Sequence, residues 1–245
     1  MEKKYSRSHI GEVHRTKENL GSYSCKIIDG SNKPGYCTIQ IGNYIAERTF
    51  NNVKKGKIKS PYHPSVYNTG YLGGGCYSCT KDAKVYKTWS GMLERCYDPK
   101  LHKKYPTYNG ITVCKEWHNF QNFAKWFYEE SNYQEGWHLD KDLLSKKDNK
   151  KYSPKTCIFI PQALNSFMTN TKLDNTSGCT GVSFDSKRNR WVAQIHKNNK
   201  YTMIGRYKNK SIATLQYKMA RKKEADKWKE KMISILPQKA INNIK

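Results

Sequence analysis

The run HLDKDLLSKKDNKKYSPKTCIFIPQALN, from His138 to Asn165, holds residue types and spacings suited to metal-assisted chemistry on a phosphate. It opens with a short strand pattern ending in Leu139, Asp140, Lys141 and Asp142, followed by a polar stretch from Ser145 to Lys151. A Tyr152-Ser153-Pro154 turn comes next, then an apolar strand pattern from Cys157 to Ile160 and a helical segment carrying Asn165. Carboxylate and amide oxygens suit a hard cation such as Mg2+ or Mn2+. An Asp on the first strand and an Asn on the helix can share one such ion. An ion held this way stabilises the charge that develops when a phosphodiester is hydrolysed in line. His138 lies two residues before Asp140, hence on the same face of a regular strand. An imidazole titrates near neutral pH and is the first choice of general base, with Tyr152 as the alternative. Lys141 is protonated near neutrality and serves poorly in that role. Asp142 either shares the site or faces solvent.

The charge balance points to a polyanionic partner. The 245 residues include 45 Lys and Arg against 20 Asp and Glu, a formal net charge of +25. A balance so far from zero concerns partners and association rather than fold. No apolar run is long enough to span a bilayer, and neither a secretory signal nor a lipidation motif is evident, so double-stranded DNA rather than a membrane is the expected partner. Mean hydropathy is −0.92. Aromatic residues make up 13% of the chain and include 18 Tyr, which argues for folded modules rather than a basic disordered tail.

The eight Cys are Cys25, Cys37, Cys76, Cys79, Cys96, Cys114, Cys157 and Cys179. Without a secretory signal they are expected to be small buried residues rather than a disulfide framework. Cys76 and Cys79 have the spacing of a metal knuckle. Zinc bound with Cys96 and Cys114, or with His102 or His118, is the minor alternative.

The elements around the site follow from hydrophobic period and turn residues. Residues 1–68 read as a small β module, with strands over Ser24 to Asp29, Cys37 to Gly42 and Ile45 to Thr49 and turns at Gly30 and Gly42. Gly56 to Pro64 is expected to be an extended linker. Gly70 to Gly75 lacks the Lys-Ser/Thr ending of a phosphate-binding loop. Helical spacing of Val85, Trp89, Met92, Leu93 and Cys96, and again of Phe120, Phe123 and Phe127, predicts two buried helical stripes. Asn119 or Asn122 is placed to cap the second helix. Near the C-terminus, strands are expected from Gly181 to Phe184, over Arg190 to His196 and over Tyr201 to Tyr207, with turns at Asp185 to Asn189 and Asn198-Asn199. Ile212, Leu215, Met219, Trp228, Met232 and Ile235 mark a basic amphipathic helix. The fold class is α+β.

The C-terminal segment resembles the AP2-type DNA-binding domain. The resemblance rests on Gly181-Val182, Trp191-Val192-Ala193-Gln194-Ile195, Gly205 with Tyr207, and Ala213, Tyr217 and Ala220. It implies a three-stranded sheet lying in the major groove of double-stranded DNA. Carried over by position, the DNA-contacting residues are Arg188, Arg190, Gln194, His196 and Arg206, with Trp191 adjoining. Arg pairs with guanine and Gln with adenine in bidentate fashion. Where plant members carry an Arg after Gly-Val, this chain has Ser183.

The central segment resembles the HNH (ββα-metal) nucleases in their phage and prophage form. Besides His138 to Asn165, the resemblance draws on Trp89, Met92-Leu93, Arg95-Cys96-Tyr97, Thr107-Tyr108, Val113 to Trp117 and Phe120. It implies a DNA endonuclease of the homing type, phage- or prophage-encoded and acting in the bacterial cytoplasm. Asp140 and Asn165 fall at the metal-ligand positions, and Asn149 falls where a loop Asn orients the base. The family's His directly after the Asp is Lys141 here. With that substitution, the alternative is a non-catalytic, sequence-specific DNA-binding protein. RNA bound by the basic and aromatic surface is a third, weaker reading. The expected modules are 1–68 (small β), 69–170 (helices plus the ββα-metal segment) and 171–245 (three-stranded sheet plus helix).

Overall fold

The computed structural model describes residues 7–16, 23–145, 150–168, 177–197 and 200–245. The architecture is α+β. The chain divides into two compact units, Met1–Glu130 with Lys150–Ser153, and Ser131–Asn149 with Pro154–Lys245.

In the first unit, four antiparallel strands form one sheet in the order β1 (Val13–Arg15), β2 (Ser24–Gly30), β3 (Tyr36–Ile41) and β4 (Tyr44–Thr49). Alternation sets its buried face: Cys25, Ile27, Cys37, Ile39 and Ile41 point inward. They pack with Val53 of α1 (Phe50–Lys54) and with Ile58. The three expected strands match β2 to β4 within a residue or two. β1 carries no apolar alternation and was not foreseen.

The helical part of this unit contains α2 (Ala83–Tyr97), α3 (Pro99–Lys104) and α4 (Phe120–Glu129). Both expected stripes are buried: Val85, Trp89, Met92, Leu93 and Cys96 on α2, and Phe120, Phe123 and Phe127 on α4. Trp89 Nε1 donates to the carbonyl of Trp117 at 2.7 Å, which satisfies its one polar group inside the core. Asn119 is the cap of α4, its Oδ1 accepting from Gln121 N at 3.0 Å, whereas Asn122 donates to the Glu116 carbonyl. The Gly-rich loop is a packing device: a Cβ on Gly73, at φ +71, would stand 2.1 Å from Asn119 Oδ1. A short parallel pair, β5 (Thr112–Val113) with β7 (Lys151–Tyr152), completes the unit.

The second unit opens with β6 (Trp137–Asp140), which pairs antiparallel with β8 (Ile158–Pro161), and α5 (Gln162–Met168) follows β8 without a loop. A sheet of order β11-β10-β9 follows, made of β9 (Val182–Asp185), β10 (Arg190–Lys197) and β11 (Lys200–Tyr207). The long α6 (Lys210–Met232) covers one face of that sheet, and α7 (Gln238–Asn243) packs on α6. The expected Asn198-Asn199 turn lies outside the described residues.

Two differences from the sequence reading have clear causes. The expected boundary at 170/171 does not coincide with a break in the core. Leu143, Ile158, Ile160, Leu164 and Phe167 share one apolar cluster with Val182, Ala193, Ile195, Ala213 and Tyr217. The α6 face differs in part: Ile212, Leu215 and Met219 are 48%, 55% and 58% exposed, while Ala213, Tyr217 and Ala225 are buried; of the expected stripe, Met232 is buried and Trp228 packs against the same cluster. Small residues let α6 approach the sheet closely. At the contact, a Cβ on Gly181, whose φ is +76, would lie 2.2 Å from the Tyr217 ring and 2.6 Å from the Gln194 carbonyl oxygen.

Candidate functional site

The strand β6 ends at Asp140, where the chain turns back on the side chain it has just placed. Asp140 Oδ1 accepts from the main-chain N–H of Asp142 at 2.9 Å and of Leu143 at 2.7 Å. This is an Asp-initiated turn, a natural strand terminator. It stops the strand two residues before the sequence reading had it stop, and leaves Asp142 exposed in an ion pair with Lys141. Asp140 Oδ2 accepts no hydrogen bond among the described residues. Burial pushes the Asp140 carboxyl above the ordinary carboxylate range, and the Asp142 charge adds to that, against the pull of the two amides.

His138 and Asp140 lie on the same face of β6, opposite Ile160 and Ile158 of β8. At strand spacing their Cα atoms are about 7 Å apart. Ile158 and Ile160 share a core with Leu164 and Phe167 of α5, so this is the face on which the helix packs. His138 is exposed. Asn165 follows buried Leu164 on α5 and is itself partly buried. The outer edge of β8 is closed by Asn132, whose amide donates to the Phe159 carbonyl and accepts from the Phe159 N–H, each at 2.9 Å. One side chain thus imitates a neighbouring strand and fixes the register of β8.

The strand–strand–helix group therefore brings Asp140, His138 and Asn165 into one substructure, while Asn149 lies outside the described residues. Tyr152, the alternative base, belongs to the first unit. It is buried there, with its hydroxyl 3.3 Å from Arg95 Nε and its ring under the Arg95 guanidinium. One Asp140 carboxylate oxygen is oriented by two amides and the other accepts no hydrogen bond among the described residues, which leaves a single oxygen open to a hard cation. Neither Asp140 nor the candidate zinc ligands belong to a group of three or more His, Cys, Asp or Glu able to hold a metal among the described residues. Cys76 and Cys79 are exposed, and Cys96 and Cys114 are buried.

The second group of expected residues lies on the three-stranded sheet. Register places Val192 opposite Arg206 and Ser183, Gln194 opposite Met203, and His196 opposite Tyr201. Arg190, Gln194, His196 and Arg206 thus share the face turned away from α6, with the His196 and Tyr201 rings 4.8 Å apart. A bulge between Ala193 and Gln194 keeps both faces in phase with the core. Trp191 is on the opposite face. It packs against Phe184 with ring centroids 5.1 Å apart and lies beneath Lys210 Nζ of α6. Its role is to support the sheet from behind. Arg188 sits in the β9–β10 turn, its guanidinium 3.2 Å from Asp185 Oδ2.

Comparison with protein-family models, with curated proteins and with solved structures finds no match to this chain. No helix among the described residues is long and apolar enough to cross a membrane.

Proposed function

We propose that this chain is a metal-dependent endonuclease of the HNH-like type, acting on double-stranded DNA in the manner of a phage homing enzyme. The observation that carries the reading is Asp140, a partly buried carboxylate at the end of β6, oriented by two backbone amides on the strand face against which α5, with Asn165, packs. Asp140 and Asn165 would hold one Mg2+ or Mn2+. When bound, that ion would supply positive charge to the scissile phosphate and the leaving oxygen.

His138 presents an exposed imidazole on the same strand face and takes the proton from the attacking water at a ring nitrogen. Lys141 pairs with Asp142 beside the turn. Arg190, Gln194, His196 and Arg206 on the outer face of the sheet reach into the major groove. They orient the duplex by bonds to phosphates and base edges. The net charge of +25 favours encounter with DNA at low salt.

A second reading, sequence-specific DNA binding without cleavage, draws on Lys141 at the position where the resembled family has its base. A plasmid nicking assay with Mg2+ separates the two. Cleavage by the intact chain, lost in Asp140→Asn and His138→Ala, supports the enzyme. Salt-sensitive binding with no strand scission under Mg2+ or Mn2+ supports the binding protein.

A further inference from the structure

A cleft of about 500 Å³ lies between α6 and the C-terminal segment that carries α7. Its α6 wall presents Lys218, Arg221, Lys222 and Lys229 against a single acidic side chain, Asp226, and Lys245 lies at the far end. Asp226 is already engaged, 3.5 Å from Lys229 Nζ. Among the described residues, Lys218, Arg221 and Lys222 make no ion pair. Lys218 and Lys222 stand four residues apart on the helix, where like charges repel.

Arg221 is the centre of this cluster. Its guanidinium carbon lies 4.4 Å from the centroid of the Phe167 ring, and Nη2 donates to the Phe167 carbonyl at 3.2 Å. Nη1 is buried and makes no hydrogen bond. A buried guanidinium nitrogen without an acceptor is costly, and a cation facing no counter-charge adds to the cost. An anion in the adjoining cleft offsets the second of these, because the apolar wall formed by Ala225 and Ile244 strengthens the attraction to the Arg221 charge.

We propose that this cleft is a phosphate-binding site, taking a phosphate group between Arg221 and the two unpaired lysines. Phosphate chemistry fits because Arg offers a planar fork and Lys a point charge, the pair of donors that phosphate oxygens accept best. The volume admits a nucleotide-sized ligand. The cleft is on the helical side of the three-stranded sheet, so it is separate from the outer face assigned to DNA. Arg221, one of its lining residues, contacts Phe167 of α5, two residues from Asn165. The proposal does not depend on nuclease activity.

Pyrophosphate titrated into the full chain at constant ionic strength tests it by calorimetry. The expected result is saturable binding of one pyrophosphate per chain. The double variant Lys218→Gln, Lys222→Gln weakens binding about tenfold or more, while Arg206→Gln on the sheet leaves it unchanged. Arg221→Gln is expected to abolish it, and the lysine pair keeps the test informative should that variant unfold. Competition by a short duplex identifies the source as nucleic-acid phosphodiester. Competition by ATP alone identifies a free nucleotide. Absence of saturation, or equal binding by wild type and the double lysine variant, overturns the proposal.

Discussion

Asn243 donates from Nδ2 to the main-chain oxygen of Leu143 at 2.8 Å, across 100 residues of sequence. The same Leu143 donates its N–H to Asp140 Oδ1 at 2.7 Å. The C-terminal helix α7 therefore holds the turn that orients the candidate metal carboxylate. Around this tie, Leu143, Leu236, Ala240, Ile241 and Ile244 belong to one buried cluster. The end of the chain is thus part of the support of the site.

Replacing Asn243 by Ala leaves the Leu143 carbonyl without this partner. The expected loss is about 1 kcal/mol of stability in the second unit, read by denaturant unfolding. Mg2+-dependent nicking is expected to fall more than the stability loss explains, because Asp140 is held less firmly. Nicking that stays at the wild-type rate would detach α7 from the site.

Asp140→Asn separates the structural role of this residue from its chemical one. An amide oxygen keeps both bonds from Asp142 and Leu143, so the turn survives. The negative charge is removed, and with it the penalty that burial places on the carboxylate. The variant is expected to be as stable as wild type or slightly more stable, and to lose about a hundredfold or more in metal-dependent cleavage. Asp140→Ala should lose stability as well, since the turn loses its acceptor. Equal cleavage by wild type and Asp140→Asn would remove Asp140 from the mechanism.

Gly181→Ala is expected to destabilise the second unit by more than about 2 kcal/mol. A methyl group there meets the Tyr217 ring at 2.2 Å in a backbone conformation, φ +76, that Ala adopts poorly. Tyr217→Leu in the same chain should recover only the part due to the ring, because the Gln194 carbonyl at 2.6 Å and the positive φ remain. Full recovery in the double variant would make the ring contact the whole cause.

The strands of the two larger sheets were legible because they alternate. Ile39 and Ile41 on β3, and Ala193 and Ile195 on β10, carry a period of two that survives in the buried pattern. The first half of the α6 face was not legible from hydropathy, although Trp228 and Met232 further along do meet the core. Ile212, Leu215 and Met219 dominate the apolar signal yet face solvent, while Ala213 and Ala225 are chosen for size rather than hydrophobicity. Asp140, His138 and Asn165 could be placed on their elements because local spacing fixes a strand face and a helix start. The supports of the site could not. The Asn132 clamp on Phe159 and the Asn243 tie to Leu143 are single amides with no periodic signature, and Arg221 meets Phe167 across 54 residues of sequence.

In the first unit, acid stability should report His118. This ring is partly buried, with Nε2 3.5 Å from the Tyr97 hydroxyl, and burial holds it below its ordinary value of 6.5. Unfolding restores the ordinary value, so the unfolded chain binds the proton more readily. Stability from the neutral ring is present above about pH 6.5, is lost as the pH falls below that, and is gone once the pH passes the lowered folded value. The pH dependence of denaturant unfolding between pH 7 and 4.5 is expected to flatten in His118→Gln. An unchanged slope would assign the acid sensitivity to other groups.

The two faces of the three-stranded sheet should respond oppositely to substitution. Arg206 is exposed on the outer face opposite Val192, whereas Trp191 lies on the inner face against Phe184. Trp191→Phe should therefore lower stability by about 1–2 kcal/mol, with duplex affinity unchanged at temperatures where the fold persists. Arg206→Gln should leave stability within about 0.5 kcal/mol and weaken duplex binding. The salt series decides what Arg206 touches. A phosphate contact lowers the slope of log K against log salt by about 0.9 and weakens all sequences alike. A base contact leaves the slope intact and costs about 1–3 kcal/mol on the preferred sequence alone. If Arg206→Gln changes neither affinity nor slope, the outer face does not bind DNA, and the +25 charge must act through another surface.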